Sequence, residues 1–101
     1  MRRQARTDRP FSEELPRLLV ERGLSQRALA RSVGVNQSYL SRLSGENARQ
    51  LPSMAVAAAV AKALDLPADY FAEYRRAAVI EAMDGDAALR DKLYELVARR
   101  G

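Results

Sequence analysis

The sequence predicts an all-α fold, a bundle of five short helices followed by a C-terminal amphipathic helix, and three observations predict it. Apolar residues recur at helical spacing in successive short stretches. Ser25, Asn36, Ser53 and Asp86 stand directly in front of four of those stretches, where a side-chain oxygen can accept from the first free amides. Gly23, Gly34 and the Asp84-Gly85-Asp86 run stand where stretches end. A chain of 101 residues, 48% hydrophobic and 30% charged, suits one small domain.

The first ten residues, MRRQARTDRP, show no apolar periodicity and carry too little apolar surface to offset ordering, so residues 1–10 are predicted to be a mobile basic arm. The bland reading is a solvated tail. The sharper one has Arg2, Arg3, Arg6 and Arg9 reach along phosphates or into a minor groove. The first helix is expected to begin at Ser12, with Glu13 and Glu14 at its positive end and Phe11 stapling it from outside. Leu15, Leu18 and Leu19 form its buried stripe and Gly23 closes it, while Pro16 leaves the start open by two or three residues.

Ser25 then caps a second helix whose apolar positions are Leu29, Ala30 and Val33. Gly34 follows, a residue without Cβ where a helix ends most easily in a left-handed turn, and Val35 tucks under the corner. Asn36 caps a third helix that buries Leu40 and Leu43, with Tyr39 partly buried beside them and Gln37, Ser38, Ser41 and Arg42 turned outward. Two helices that meet steeply across so short a turn need a small residue at the crossing, and Ala30 sits there. The polar stretch GENARQLP is a loop, and Ser53 caps the Ala-rich fourth helix, which buries Met54, Val56, Ala57, Val60, Ala61 and Leu64. A fifth helix is expected from Pro67 through Met83, with Tyr70, Phe71, Tyr74, Ala77, Ala78 and Met83 along one side. Asp86 caps the last helix, whose stripe is Leu89, Leu93, Leu96 and Val97.

The positions Gln26, Ala30, Gly34, Val35, Leu40 and Leu43, at their mutual spacings, resemble the helix-turn-helix of the lambda-repressor and Cro-like (Xre) regulators. The resemblance runs from about Phe11 to Phe71: LPRLLVERGLSQ is similar to that family's first helix, and LPSMAVAAAVAKALDLPADYF to its fourth and the start of its fifth. It implies a lambda-repressor-like DNA-binding domain over residues 11–72, followed by a C-terminal helical extension over 73–101. The loop after the third helix is about two residues longer than the family's usual connection.

Charge agrees with a polyanionic partner. The net charge is +4, and the excess is uneven: residues 1–11 hold four Arg against one Asp, and residues 12–50 six Arg against four Glu. Residues 51–75 come to −1 and the remainder to zero. With no Cys and no His, the chain lacks thiol nucleophiles, disulfides, thiolate zinc sites and the usual neutral-pH base. Enzyme chemistry, a metal and a cofactor are therefore not expected, and neither signal-peptide pattern nor membrane span is visible, so a soluble cytoplasmic protein is.

The chemistry of the major groove assigns the outward residues. Gln37, Ser38 and Arg42 are the base readers: Gln pairs bidentately with adenine, Arg with guanine, and Ser with either kind of group. Gln26 resembles the family residue that holds a phosphate from a helix N-terminus, and Arg27, Ser41, Asn47 and Arg49 complete a set expected at the DNA backbone. Leu89, Leu93, Leu96 and Val97 are left to face water if the preceding helices close a unit of their own, so they are the expected dimerisation stripe. The leading expectation is a sequence-specific transcriptional regulator, a homodimer that binds double-stranded DNA at a two-fold symmetric operator. The alternative is an antitoxin-like module whose C-terminal helices grip a protein partner while DNA binding serves autoregulation.

Overall fold

The computed structural model describes residues 5–46 and 48–100 and is all-helical among them. The helices are α1 (Phe11–Arg22), α2 (Gln26–Val33), α3 (Gln37–Leu43), α4 (Met54–Ala63), α5 (Ala72–Asp84) and α6 (Ala87–Arg100). Short polar caps set most of their starts. Ser25 Oγ accepts from the Ala28 amide at 3.0 Å, Asn36 Oδ1 from Ser38 at 2.9 Å, Ser53 Oγ from Val56 at 3.1 Å and Asp86 Oδ1 from Leu89 at 3.0 Å. The core is continuous through the first four helices and the start of the fifth. It gathers Leu15, Leu18, Leu29, Leu40, Leu43, Val60, Leu64 and Phe71, each at most 2% exposed.

α1 begins one residue earlier than the sequence suggests, at Phe11. Phe11 is not an external staple: its ring lies in the core 4.6 Å from that of Phe71, and its amide donates to Glu73 Oε2 at 2.9 Å. A carboxylate sixty-two residues away thus takes up the first amide of α1, for which no neighbouring side chain serves as cap. Pro16 lies inside α1 and has no N–H for the Ser12 carbonyl. That carbonyl instead accepts from the Gly45 amide at 2.9 Å, which ties α1 to the loop beyond α3.

Two expectations are corrected. The helix expected from Pro67 starts only at Ala72, because residues 67–70 form a turn closed by the Tyr70 amide on the Pro67 carbonyl at 2.9 Å. Phe71 is extended there, with φ −84° and ψ 139°, which puts its fully buried ring under α1 and lays Tyr70 edge-on against it at 5.1 Å. A helix running straight on from Pro67 would forfeit that anchor. Residues 5–10, expected to be part of a free arm, are tied down instead. The Thr7 amide donates to the Tyr70 carbonyl at 3.0 Å, Arg6 pairs with Asp69 at 2.9 Å, and Arg75 donates to the Thr7 carbonyl at 2.8 Å and to Asp8 at 3.3 Å. Arg2 and Arg3 lie outside the described residues.

Glu14, in the sequence no more than a favourable charge at a helix end, is a buried carboxylate. It is 1% exposed and takes hydrogen bonds from Arg17 Nε at 2.9 Å, from Arg17 Nη2 and from the Tyr70 hydroxyl. The Arg17 bonds, opposed by burial, hold the Glu14 carboxyl below the usual carboxylate range. Burial and the neighbouring carboxylate raise the Tyr70 phenol.

The last two helices differ from the rest. α6 packs along α5, yet neither contains a fully buried residue. Leu89 and Leu93 are half-buried, while Leu96 and Val97 are 52% and 60% exposed. The radius of gyration, 15.6 Å, exceeds the roughly 13 Å of a compact 100-residue domain, as an α5–α6 projection requires.

Candidate nucleic-acid interface

α3 is held so that one face is lost to the core and the other is free. Leu40 and Leu43 have no exposed surface, Ala30 is 3% exposed at the crossing with α2, and Val35 is half-buried below the turn. Gly34 takes the left-handed conformation at φ 85°, and both its amide and that of Val35 return to the Ala30 carbonyl, at 2.9 and 3.0 Å. Fixing the corner in this way leaves Gln37, Ser38, Ser41 and Arg42 exposed together on the outer face of α3.

Local bonds restrict what two of these side chains can offer. The Ser38 hydroxyl donates to Asn36 Oδ1 at 2.7 Å, so toward any other group its oxygen is an acceptor. The guanidinium of Arg42 lies 5.9 Å from the centroid of the half-buried Tyr39 ring, stacked over it. Tyr39 is therefore partly buried and also supports Arg42.

The loop after α3 folds back on the helix. The Arg49 amide donates to the Arg42 carbonyl at 2.9 Å and the Ala48 amide to Gly45 at 3.2 Å, while Gly45 itself is held by Ser12. Arg49 is brought beside the C-terminal end of α3; Asn47 lies outside the described residues. At the other end of the motif, Gln26 is half-buried at the first position of α2, and its Nε2 donates to Ser44 Oγ at 2.9 Å. Arg27 is exposed next to it.

Within residues 5–75, the pairing of the arginines separates this face from the rest. Arg6, Arg9, Arg17, Arg22 and Arg75 all lie within 4.0 Å of a carboxylate. Arg27, Arg31, Arg42 and Arg49 carry no ion pair among the described residues. Arg31 was missed by sequence reasoning, although its place four residues after Arg27 puts it on the same side of α2. Unpaired guanidinium groups around a polar helix face make a surface of positive potential without internal compensation, suited to a phosphate backbone. Among the described residues no helix is long and apolar enough to cross a membrane.

The expected dimerisation residues stand apart from this face, on α6, where Leu89 and Leu93 are half-buried and Leu96 and Val97 open to solvent. No curated protein and no solved structure matches the chain. A helix-turn-helix family model, HTH_3, matches residues 17–71, which is more than half of the chain and contains both helices of the motif, its turn and most of the core that backs them. The chain belongs to this Xre/lambda-repressor-like family of DNA-binding transcriptional regulators.

Proposed function

We propose that the protein is a sequence-specific transcriptional regulator that inserts α3 in the major groove and binds as a homodimer to a two-fold symmetric operator. The observation that carries this reading is the outer face of α3, four exposed polar residues on a helix whose opposite face is wholly buried and whose neighbours are unpaired arginines. Gln37 pairs with adenine, Arg42 with the O6 and N7 of guanine, and Ser38, being an acceptor only, with an exocyclic amino group of cytosine or adenine. Gln26, Arg27, Ser41, Asn47 and Arg49 take the sugar-phosphate backbone and fix the register. A regulator of this kind acts in the cytoplasm, on the chromosome.

Support for the dimer comes from α6. Tyr94, Leu96 and Val97 of α6 and Val79 of α5 are exposed apolar surface on a chain whose core is complete without them. A single reading helix covers few base pairs, and pairing about a two-fold axis sets two half-sites one helical turn apart. The test is selection of binding sites from random DNA by the full chain and by a chain ending at Gly85. The full chain is expected to select a spaced palindrome, and the truncated chain to remain folded, sediment as a monomer and select the half-site alone. A truncated chain that still dimerises would place the interface elsewhere. A full chain that is monomeric until a second polypeptide joins it would support the antitoxin-like alternative.

A further inference from the structure

We propose that Ser44 is a positioning residue for DNA binding: its hydroxyl oxygen holds the side-chain amide of Gln26 by one N–H and so fixes the place of the other, which is presented to a phosphate. The inference rests on the reading that Gln26 contacts the DNA backbone, and it adds the group that aims it.

The orientation of Gln26 is set at the end of α3. Ser44 follows the helix in extended conformation, φ −123° and ψ 157°, and its amide returns to the Ser41 carbonyl at 3.3 Å. The Leu40 carbonyl is thereby left without the amide that would serve it in a continuing helix. Ser44 Oγ lies 3.3 Å from that carbonyl, and since a carbonyl can only accept, the hydroxyl proton is directed there. The serine side chain replaces the missing amide.

Once its proton is spent in this way, Ser44 Oγ has only lone pairs to offer. Gln26 meets it at 2.9 Å, so the atom facing it must be Nε2, because Oε1 in that place would set two acceptors against each other with no proton between them. Ser44 is 8% exposed, so water does not compete freely for the contact. The bond spans eighteen residues and joins the first turn of α2 to the end of α3. Nε2 retains a second N–H at the N-terminal end of α2, where the Ala28 amide is already taken by Ser25 Oγ. That remaining proton, held still before DNA arrives, is the donor to the phosphate. An immobilised side chain has less freedom to lose on binding than a free one.

The roles separate in a double-mutant cycle read by fluorescence anisotropy on a selected site and on random DNA. Gln26→Ala is expected to weaken both DNAs by about tenfold or more, the worth of one hydrogen bond to a charged group. Ser44→Ala should reproduce most of that loss, Ser44→Thr should restore binding, and Ser44→Ala combined with Gln26→Ala should be no weaker than Gln26→Ala alone. In the full unmutated chain one of the two Gln26 side-chain amide protons should exchange slowly with water, which reads the bond to Ser44 without any variant. Losses that multiply in the double variant, or full affinity in Ser44→Ala while Gln26→Ala is weak, would overturn the relay and leave the phosphate role of Gln26 intact. Unchanged affinity for both DNAs in Gln26→Ala would overturn both.

Discussion

The segment from Phe11 to Phe71 and the hairpin of α5 and α6 are both rich in apolar residues at helical spacing, and they fare differently. All fourteen buried apolar side chains found among the described residues fall between Phe11 and Phe71, and none falls in α5 or α6. Yet α5 carries Tyr74, Ala77, Ala78, Val79, Ile80 and Met83, and α6 carries four leucine or valine residues in a stripe. Amphipathic spacing predicts that a stretch will be helical; burial needs an opposing surface as well. In the first segment that surface is supplied by helices of the same chain, crossing at Ala30 and locked by the Phe11–Phe71 ring contact at 4.6 Å. In the hairpin, α5 rests on α4 and, through Tyr74, on the edge of the core, while α6 packs along α5, and neither helix is covered deeply enough to bury a side chain fully.

Removing a core ring should expose the contrast most sharply. Phe71→Ala, which empties a site with no exposed surface between Phe11 and Tyr70, is expected to cost about 3–5 kcal/mol in urea-induced unfolding. Loss of under about 1 kcal/mol would mean that the core re-closes around the gap and that the two segments are less distinct than their burial implies.

The first segment was also the more legible one. Ser25, Gly34, Asn36 and Ser53 act on residues two to four positions away, so the sequence displays both partners of each bond at once. Leu40 and Leu43 lie on a short helix with a single apolar side, and they are buried as its spacing requires. What was missed depends on distant partners. Glu73 caps α1, Glu14 meets Tyr70 across fifty-six residues, and Arg75 holds the strap at Thr7. No local rule couples such positions. At Phe71 a strong helical pattern is overruled by one ring that is worth more inside the core than the extra turn would be. On the DNA-facing side, residue types indicated the readers, but the acceptor-only state of Ser38 and the stacking of Arg42 on Tyr39 exist only in three dimensions.

Protonation offers a milder perturbation of the same core. Because Arg17 lowers the Glu14 pKa in the folded chain, the ionised carboxylate stabilises the fold at neutral pH, and that stabilisation is lost as pH falls through the folded value. Glu14→Gln should cost about 1–3 kcal/mol at pH 7, the penalty for breaking a buried charged hydrogen-bond set. Its stability should decline less steeply than the wild type's below about pH 4, the unfolded carboxylate range. Parallel acid limbs, followed by circular dichroism, would remove Glu14 from the groups that govern acid unfolding.

At the DNA face the predicted losses are similar in size but leave the fold untouched. Arg42→Ala should lose about 1–3 kcal/mol on the selected site and relax discrimination at one base pair, with an unchanged melting temperature. Arg31→Ala and Arg49→Ala should weaken specific and random DNA alike, and each should make the slope of log affinity against log salt shallower by about one unit, the share of a single neutralised phosphate. An equal loss on both DNAs for Arg42→Ala would make it a backbone residue like these.

The smallest expected effect on folding is at Leu96, and it separates the two segments most directly. Its side chain is 52% exposed on a helix with no buried residue, so Leu96→Ala leaves no cavity, and the change in unfolding free energy of the monomer should stay within about 0.5 kcal/mol. If α6 covers a second copy of itself, the same substitution removes apolar area from the interface and should weaken self-association in sedimentation equilibrium. Val97→Glu places a charge on that surface and should abolish association while sparing the fold. Dimerisation stabilises by mass action, so the melting temperature of the wild type should rise with protein concentration and that of Val97→Glu should not. A loss of about 2 kcal/mol or more in the monomer for Leu96→Ala would show that the leucine is packed inside its own chain, and the hairpin would then belong to the core rather than to an interface.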